Sequence, residues 1–456
     1  MKELSICQIA KAVKGRQISG TPNAFVKGVS KDSRQVAPGD MFFPFKGERH
    51  DAHAFIPQLI DRGCTSFIIS DESAISGLTK EQEGINVILV SDVGDALRDL
   101  ARYYIRLFDI KKITVTGSNG KTTTKDMIFR ITSGSYDTVK TAENMNNEIG
   151  LPLSVMKLGE GTEVGIFEMG MYTFGEIDLL ADIVRPDVGV ITNIGTAHIQ
   201  NFENRDGIRQ AKMEISRYMD EDCSLIINSE GGMLTKENAG GIYDLIRVGT
   251  EAFNDFVIAN MENRGEDGIA FSLKHRSEEK RFFLPVMGLH NVFNAALSVA
   301  AVSRVGIGME EAAERLREFR LDKLIIKDDI KIIDDTYNAS PDSVKAAIDM
   351  LEALEGERKI AVLGDMNELG ANSAEYHRQV GEYAASRVDV LITAGDKAVD
   401  IGRGAEFVKG KAKTYCCADK DGAWGILKEI LIPGDVVLVK GSRGMTMETL
   451  VKKILE

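Results

Sequence analysis

Beyond residue 110, short apolar runs rich in β-branched residues alternate with longer stretches of helical periodicity, the pattern of strand–helix repeats around a parallel sheet. Ile113-Thr114-Val115-Thr116 leads into Gly-Ser-Asn-Gly-Lys, the run 164–167 ends at Glu168, 188–191 ends at Thr192-Asn193, and 224–227 ends at Asn228. A second series follows, with 360–363 before Gly364-Asp365, 390–393 before Ala394-Gly395, and 436–439 before Lys440-Gly441. The first 110 residues differ, since Phe42-Phe43-Pro44-Phe45 and Ser66-Phe67-Ile68-Ile69 lie among polar turns. The expected fold class is α/β in three domains. A mixed α/β domain spans 1–110, a central α/β domain with a parallel or mixed sheet spans 111–325, and a smaller α/β domain spans 326–456. The charged, weakly periodic stretch 254–283 reads as a β-hairpin excursion.

A chain of 456 residues supports this division, because one hydrophobic core rarely serves such a length. The formal charge of −13 has the wrong sign for a protein that holds nucleic acid by neutralising phosphates, so an anionic ligand has to be met by local cations. Cys7, Cys64, Cys223, Cys416 and Cys417 are scattered, odd in number and without a C-x-x-C spacing, which argues against a disulfide framework or a zinc site. Gln8 and Lys11 interrupt the apolar residues at the N-terminus, and no apolar run approaches the ~18 residues of a membrane span. The expectation is a cytoplasmic protein, without membrane insertion and monomeric by default.

Thr116-Gly117-Ser118-Asn119-Gly120-Lys121-Thr122-Thr123-Thr124 carries the strongest local signal, since it follows a strand and opens a helix. Glycines let backbone wrap a phosphate, the helix N-terminus offers free N–H groups, Lys121 adds charge, and Thr122 adds a hydroxyl for magnesium. Only G-x-x-G-K-T of the general P-loop is met, because Val115 stands where its first glycine would be. Glu168 and His198 follow different strands of one sheet, where loops converge, and are candidate metal ligands; alone, each reads as readily as a solvated carboxylate or a structural histidine. Lys212, in a helical pattern after Asp206-Gly207, reads by itself as part of a solvated helix face. His290, Asn291 and Asn294 cluster at the start of another helix, where amides could match an adenine edge or simply cap it. In 334–343, Ser340 and Pro341 explain themselves as a helix start and leave Asp335, Tyr337 and Asn338 free for a ligand. Asp32, Ser33 and Arg34 on one loop and Lys46 and His53 on another suit a diphosphate. Lys440-Gly441-Ser442-Arg443-Gly444, between a strand and a helix, suits a carboxylate or an ordinary polar turn.

Together TGSNGKTTTK, ENMNNEIGLPLS, FEMG, TNIGTAHIQNF, QAKMEI, GLHNVFNAA, DDTYNASPDS, LGDMNELG and VKGSRGMTME resemble the Mur ligases in order and spacing across essentially the whole chain. DDTYNASP, LGDMNELG and the N-terminal GD-x-F-x-x-x-KG-x-x-x-D-x-H loop resemble the branch that adds D-alanyl-D-alanine to UDP-N-acetylmuramoyl-tripeptide, and the D-N-P-R motif of the neighbouring branch is absent. The resemblance implies an ATP-dependent ligase of peptidoglycan precursor synthesis, working through an acyl phosphate on two small-molecule substrates. It also implies that the N-terminal domain, 1–110, would bind the UDP-sugar, that 111–325 would be a P-loop ATPase-type domain, and that a Rossmann-like C-terminal domain, 326–456, would help hold the dipeptide and close over ATP.

By position it assigns phosphate binding to Gly117, Ser118, Asn119, Gly120, Lys121, Thr122 and Thr123. Magnesium falls to Thr122, Glu168 and His198, adenine to Asn291 and Asn294, and the ribose side to Asp335 and Tyr337. Catalytic work falls to Lys121, Lys212, His198 and Asn193, with Lys212 expected as a carbamate. Substrate contacts fall to Asn144, Asn146 and Asn147, and to Asp32, Ser33, Arg34, Lys46 and His53 at the uridine diphosphate end. Another Mur-like amino-acid or glutamate ligase is the alternative; folate ligases lack the UDP-type N-terminal domain. Where many relatives carry Gly-x-Arg before the last domain, this chain has Arg320-Leu321-Asp322-Lys323, so either Lys323 or Arg320 takes that place.

Overall fold

A computed structural model describes residues 1–47, 50–76, 84–142, 144–321 and 323–456. Glu48, Arg49, Glu143 and Asp322, which belong to the motifs above, lie outside the described residues.

The alternation along the chain becomes three principal sheets. In the central one, Thr138–Lys140, Val164–Glu168, Lys111–Thr116, Val188–Ile191, Ser224–Asn228, Asp244–Gly249 and Phe256–Asn263 run parallel in that spatial order. Ile269–His275 and Glu278–Leu284 extend the sheet antiparallel, so the expected hairpin excursion is a meander built onto its edge. The inner parallel strands are apolar throughout because helices cover both faces. Helices Lys121–Thr132, His290–Ser303 and Met309–Leu316 pack on one face with Ile113, Val115, Ile166 and Val190. Val93–Ile105, Gly150–Val155 and Glu176–Val184 cover the other.

The N-terminal sheet orders Arg16–Ser19, Asn86–Leu89, Ser66–Ile69, Asp40–Phe42 and Gly28–Ser30. Period-two alternation divides its apolar residues: Phe67 and Ile69 face one cluster, Ile68 the opposite one. Phe43-Pro44-Phe45 does not continue the strand Asp40–Phe42, because Pro44 has no N–H to give a ladder. Helix Val93–Ile105 packs against the central unit, where the Tyr104 hydroxyl donates to the Leu158 carbonyl at 2.7 Å and Arg102 pairs with Asp182 at 2.6 Å. The apolar core of the N-terminal unit is therefore continuous with one face of the central sheet.

The C-terminal sheet orders Leu324–Lys327, Ile330–Asp335, Asp435–Lys440, Arg358–Gly364, Val390–Ala394 and Lys413–Cys417, parallel except for the first strand. Asp435–Lys440 inserts between strands that precede it in sequence, so the ends of Ile330–Asp335, Asp435–Lys440 and Arg358–Gly364 form a crevice. Ser340 caps helix Pro341–Ala353 with Pro341 in its first turn, as the sequence predicts. Among the described residues no helix is long and apolar enough to cross a membrane.

At the opposite end of this sheet, fully buried Asp435 accepts from Arg358 Nε at 2.8 Å, from Arg358 Nη2 at 2.7 Å and from the Ile432 N–H at 2.9 Å. Asp435→Ala removes this carboxylate and strands the guanidinium, and is expected to cost about 3 kcal/mol, as for one-sided removal of a buried pair. The check is the chemical-denaturation midpoint, and a midpoint equal to that of the parent protein contradicts it.

Candidate active site

Three loops leave adjacent strand ends of the central sheet and are tied to one another. The first follows Lys111–Thr116 and turns at Gly117 and Gly120, with φ of +148° and +79°, before helix Lys121–Thr132. A Cβ on Gly117 would lie 1.8 Å from Thr192 Oγ1, and one on Gly120 would lie 2.5 Å from Asn294 Oδ1, so side chains are excluded at both places. The loop after Val188–Ile191 locks onto this one. Thr192 Oγ1 and Asn193 Nδ2 donate to the Asn119 carbonyl at 2.6 and 2.9 Å, and Asn193 Oδ1 accepts from the Asn119 N–H at 3.0 Å. Ser118 Oγ accepts from the Gly195 N–H at 2.9 Å. Asn193 thus positions the cradle with both ends of its amide.

Lys121 folds back over the cradle and donates to the Gly117 carbonyl at 2.8 Å. Burial lowers its affinity for a proton, while Glu168 opposes the change. Thr122 Oγ1 donates to Glu168 Oε2 at 2.9 Å and Asn146 Nδ2 to Glu168 Oε1 at 2.8 Å. Thr123 occupies the first turn of the same helix. Lys125, 1% exposed, stands 3.7 Å from Glu168 and 3.6 Å from Asp126. Lys212 is no solvated helix residue: it is 2% exposed, and no hydrogen bond or ion pair engages its amine among the described residues. Burial, with Lys121 nearby, pushes its pKa well below the usual lysine range.

His198, in the left-handed region with φ of +62°, faces the C-terminal unit, where its Nδ1 lies 2.5 Å from Glu368 Oε2. Its ring meets Tyr172 edge-on at 4.7 Å. Among the described residues no group of three or more His, Cys, Asp or Glu side chains is placed to hold a metal ion. Thr196 donates to Asp342 and Ser340 to Asn119 Oδ1 at 3.3 Å, which brings the 334–343 loop onto the cradle. Glu368, Asp342 and Lys125 are the contributors that sequence reasoning left out. All three lay in quoted motifs, but their partners His198, Thr196 and Glu168 are distant in the chain.

Other assignments change with the geometry. Asn291 and Asn294 are buried; Asn291 donates to the Met287 carbonyl at 2.8 Å, Asn294 donates to Asn291 at 3.0 Å, and Thr124 to Asn294 at 3.4 Å. These bonds tie the helix His290–Ser303 to the helix Lys121–Thr132. Asp335 is held between Lys323 and Lys440, each at 2.6 Å; burial raises its pKa, but the two ammonium groups outweigh it and hold the carboxyl at about 2. That contact also places Lys323, while Arg320 donates to the Arg317 and Phe319 carbonyls. Tyr337 is exposed, with its hydroxyl turned toward Asn144. Asn147 Oδ1 caps helix Gly150–Val155 through the Gly150 N–H at 2.8 Å.

In the N-terminal unit a cavity of about 510 Å³ is lined by Lys31, Asp32, Ser33, Arg34, Phe42, Phe55 and Arg62 among others. Arg34 pairs bidentately with Asp32 at 2.9 and 2.7 Å. His53 is buried with Nδ1 2.6 Å from Asp51 and Nε2 accepting from the Ser70 N–H at 3.2 Å, so neither ring nitrogen is free for a ligand. Lys46 bridges to Asp51 on the adjoining loop and does not line the cavity.

Family models match in three segments: Mur ligase family, catalytic domain, at 25–105; Mur ligase middle domain at 115–302; and Mur ligase, glutamate ligase domain, at 319–443. The chain is 38% identical over 466 residues to UDP-N-acetylmuramoyl-tripeptide–D-alanyl-D-alanine ligase of Bacillus subtilis, covering 100% of this chain and 99% of that one. It is 30% identical over 438 residues to the Escherichia coli enzyme of the same name, covering 94% and 93%. The structure of MurF from Acinetobacter baumannii superposes with a TM-score of 0.89 at 30% identity, covering 100% and 99%. MurF of Thermotoga maritima in complex with ADP gives 0.81 at 28% identity, covering 94% and 96%.

Gly117→Ala forces a Cβ into Thr192 and displaces the cradle, which is expected to weaken ADP binding roughly tenfold or more while circular dichroism stays unchanged. Isothermal titration with ADP and magnesium measures it, and unaltered affinity contradicts the dependence of the loop on this contact.

Proposed function

The chain belongs to the Mur ligase family, and on that premise we infer that it joins D-alanyl-D-alanine to UDP-N-acetylmuramoyl-tripeptide with cleavage of ATP, forming a C–N bond in peptidoglycan precursor synthesis. The observation that carries this reading is full-length likeness at 38% identity to a ligase of that name, on a fold that sets a phosphate cradle against the 334–343 and 363–370 loops.

A carboxylate is a poor acceptor for an amine, so it must first gain a leaving group. The tripeptide carboxylate oxygen attacks the γ-phosphorus of ATP, ADP departs, and an acyl phosphate remains. The dipeptide amine, having lost its proton, attacks the acyl carbon, and inorganic phosphate leaves with the C–O bond pair. The work of the protein is placement and charge. Backbone N–H groups at the start of helix Lys121–Thr132 face the phosphates, and Lys121 exchanges its loop carbonyls for phosphate oxygens. Asn119, locked by Asn193, fixes that geometry beforehand. Closure of the C-terminal unit excludes water from the acyl phosphate.

Glu168 and the Thr122 hydroxyl form a hard oxygen set that would hold magnesium, with Asn146 on the far carboxylate oxygen, and His198, which lies against Glu368, would be the further ligand. Magnesium, when bound, supplies positive charge to the transferring phosphoryl. Lys212 is disposed to carbamylation, because burial favours the neutral amine, the form that can take up carbon dioxide and release one proton to give an N-carboxylate. That turns a buried amine with no ion pair among the described residues into an anion near Lys121. The Asp32–Arg34 cavity suits the uridine diphosphate end.

Phosphate release from ATP is expected only when UDP-N-acetylmuramoyl-tripeptide and D-alanyl-D-alanine are both present, with a pentapeptide product seen by mass spectrometry. Release independent of either, or with glutamate replacing the dipeptide, overturns the reading. Separately, protein in 13C-bicarbonate is expected to show a carbamate carbon resonance by NMR that Lys212→Arg lacks; its persistence in that variant places the modification elsewhere.

A further inference from the structure

Lys125 is buried beside the phosphate cradle yet has no part in the chemistry above. It lies about one turn beyond Lys121 on helix Lys121–Thr132 and brings its ammonium to the equally buried carboxylate of Glu168. A charge-assisted hydrogen bond would place nitrogen and oxygen at about 2.8 Å. Lys125 Nζ instead stands 3.7 Å from Glu168 Oε2 and 3.6 Å from Asp126 Oδ1, beyond bonding reach of both. Asp126 is held from its other side, where Lys140 donates to Oδ1 at 2.7 Å and lies 4.3 Å from the centroid of the Phe129 ring. Charge therefore alternates from the partly exposed Lys140 inward through Asp126 and Lys125 to Glu168.

This arrangement gives Glu168 an opposite charge that takes up none of its lone pairs. Each carboxylate oxygen accepts one hydrogen bond, Oε2 from Thr122 and Oε1 from Asn146, and the Glu168 N–H is tied to Thr141 Oγ1 at 3.1 Å. A carboxylate offers about four lone-pair sites, so each oxygen keeps capacity for a cation. Without a counter-charge a carboxylate so buried would be costly to hold. The ammonium that settles Glu168 also repels any dication that approaches it, and the low polarity of a buried site strengthens both effects.

We propose that Lys125 is a positioning residue for the metal site, a resident buried cation that steadies the Glu168 carboxylate when no metal is bound and limits, by repulsion, how tightly a divalent cation binds there. Asp126 sets the strength of that repulsion, because it shares the Lys125 charge with Glu168. A bare dication meets the ammonium alone, whereas one carried by phosphates brings anions that offset it. The proposal rests on the reading of Glu168 as a magnesium ligand, and not on the identity of the amino acceptor.

The test is Mn2+ binding without nucleotide, followed by electron paramagnetic resonance, for the full-length parent protein and its variants. Lys125→Met is expected to tighten binding roughly tenfold, as removal of a nearby like charge does, where a merely structural lysine would weaken it. Asp126→Asn is expected to weaken binding roughly two- to fivefold, since the ammonium then faces Glu168 alone. Asp126 is partly exposed, so this variant carries the test even if Lys125→Met does not fold. Lys125→Met should also unfold at lower denaturant without metal and recover more than the parent protein when Mn2+ is added. In a Glu168→Gln background Lys125→Met should leave Mn2+ affinity unchanged, because the two residues act as one unit. Equal or weaker binding in folded Lys125→Met, unaltered binding in Asp126→Asn, or tightening that persists without Glu168 overturns the proposal and leaves the metal assignment standing. Parent affinity in Glu168→Gln alone overturns both.

Discussion

The mutual hold of Asn119 and the Thr192–Asn193 pair is the constraint on which the site depends. The Asn119 peptide gives its N–H and its carbonyl to a loop from the adjacent strand, and the same asparagine's side chain accepts from Ser340 of the C-terminal unit. The curl of the glycine loop is thereby set by its neighbours before any phosphate arrives. The close approach of Gly117 to Thr192 follows from this hold. Electrostatic preorganisation of this kind is effective because no dipole has to be reoriented during reaction.

Much of this architecture is written in local patterns. Strands buried on both faces have to be apolar throughout, so runs such as 113–116, 188–191 and 436–439 declare themselves, and the polar residues that end them fall at the carboxyl edge where ligands collect. The glycine loop and the Ser340–Pro341 helix start are legible for the same reason, each being a short-range device. Partnership between distant residues is not legible. Asn193 bonds a residue 74 positions away, and nothing local separates that use of an amide from contact with a substrate. The same holds for Asn291, Asn294 and His53, whose polar atoms are taken up by helix joints and a neighbouring strand. Lys212 is the sharpest case, since a lysine beside a glutamate in a helix reads as solvent-facing, and only likeness to a family points inward.

Charge is distributed against the average. A strongly acidic chain gathers Lys121, Lys125, Lys212, Lys323 and Lys440 at the ends of two sheets, with Lys125, Lys212 and Lys440 almost wholly buried. Burial of an ammonium is costly unless it is paired, and the pairing divides these groups by role. Lys125 leans on Asp126 and Glu168, Lys440 on Asp335, and each belongs to the scaffold. Lys212 has no such anion among the described residues, which fits an amine that is completed chemically.

The folded-back position of Lys121 has a kinetic meaning. With its ammonium donating to the Gly117 carbonyl, the cradle already contains a ligand of its own making. A nucleotide entering the loop displaces that contact, and one leaving is replaced by it, so exchange proceeds as a substitution between an outer and an inner partner. The loop is never left bare, and the inner partner moderates how tightly spent ADP is retained between turnovers.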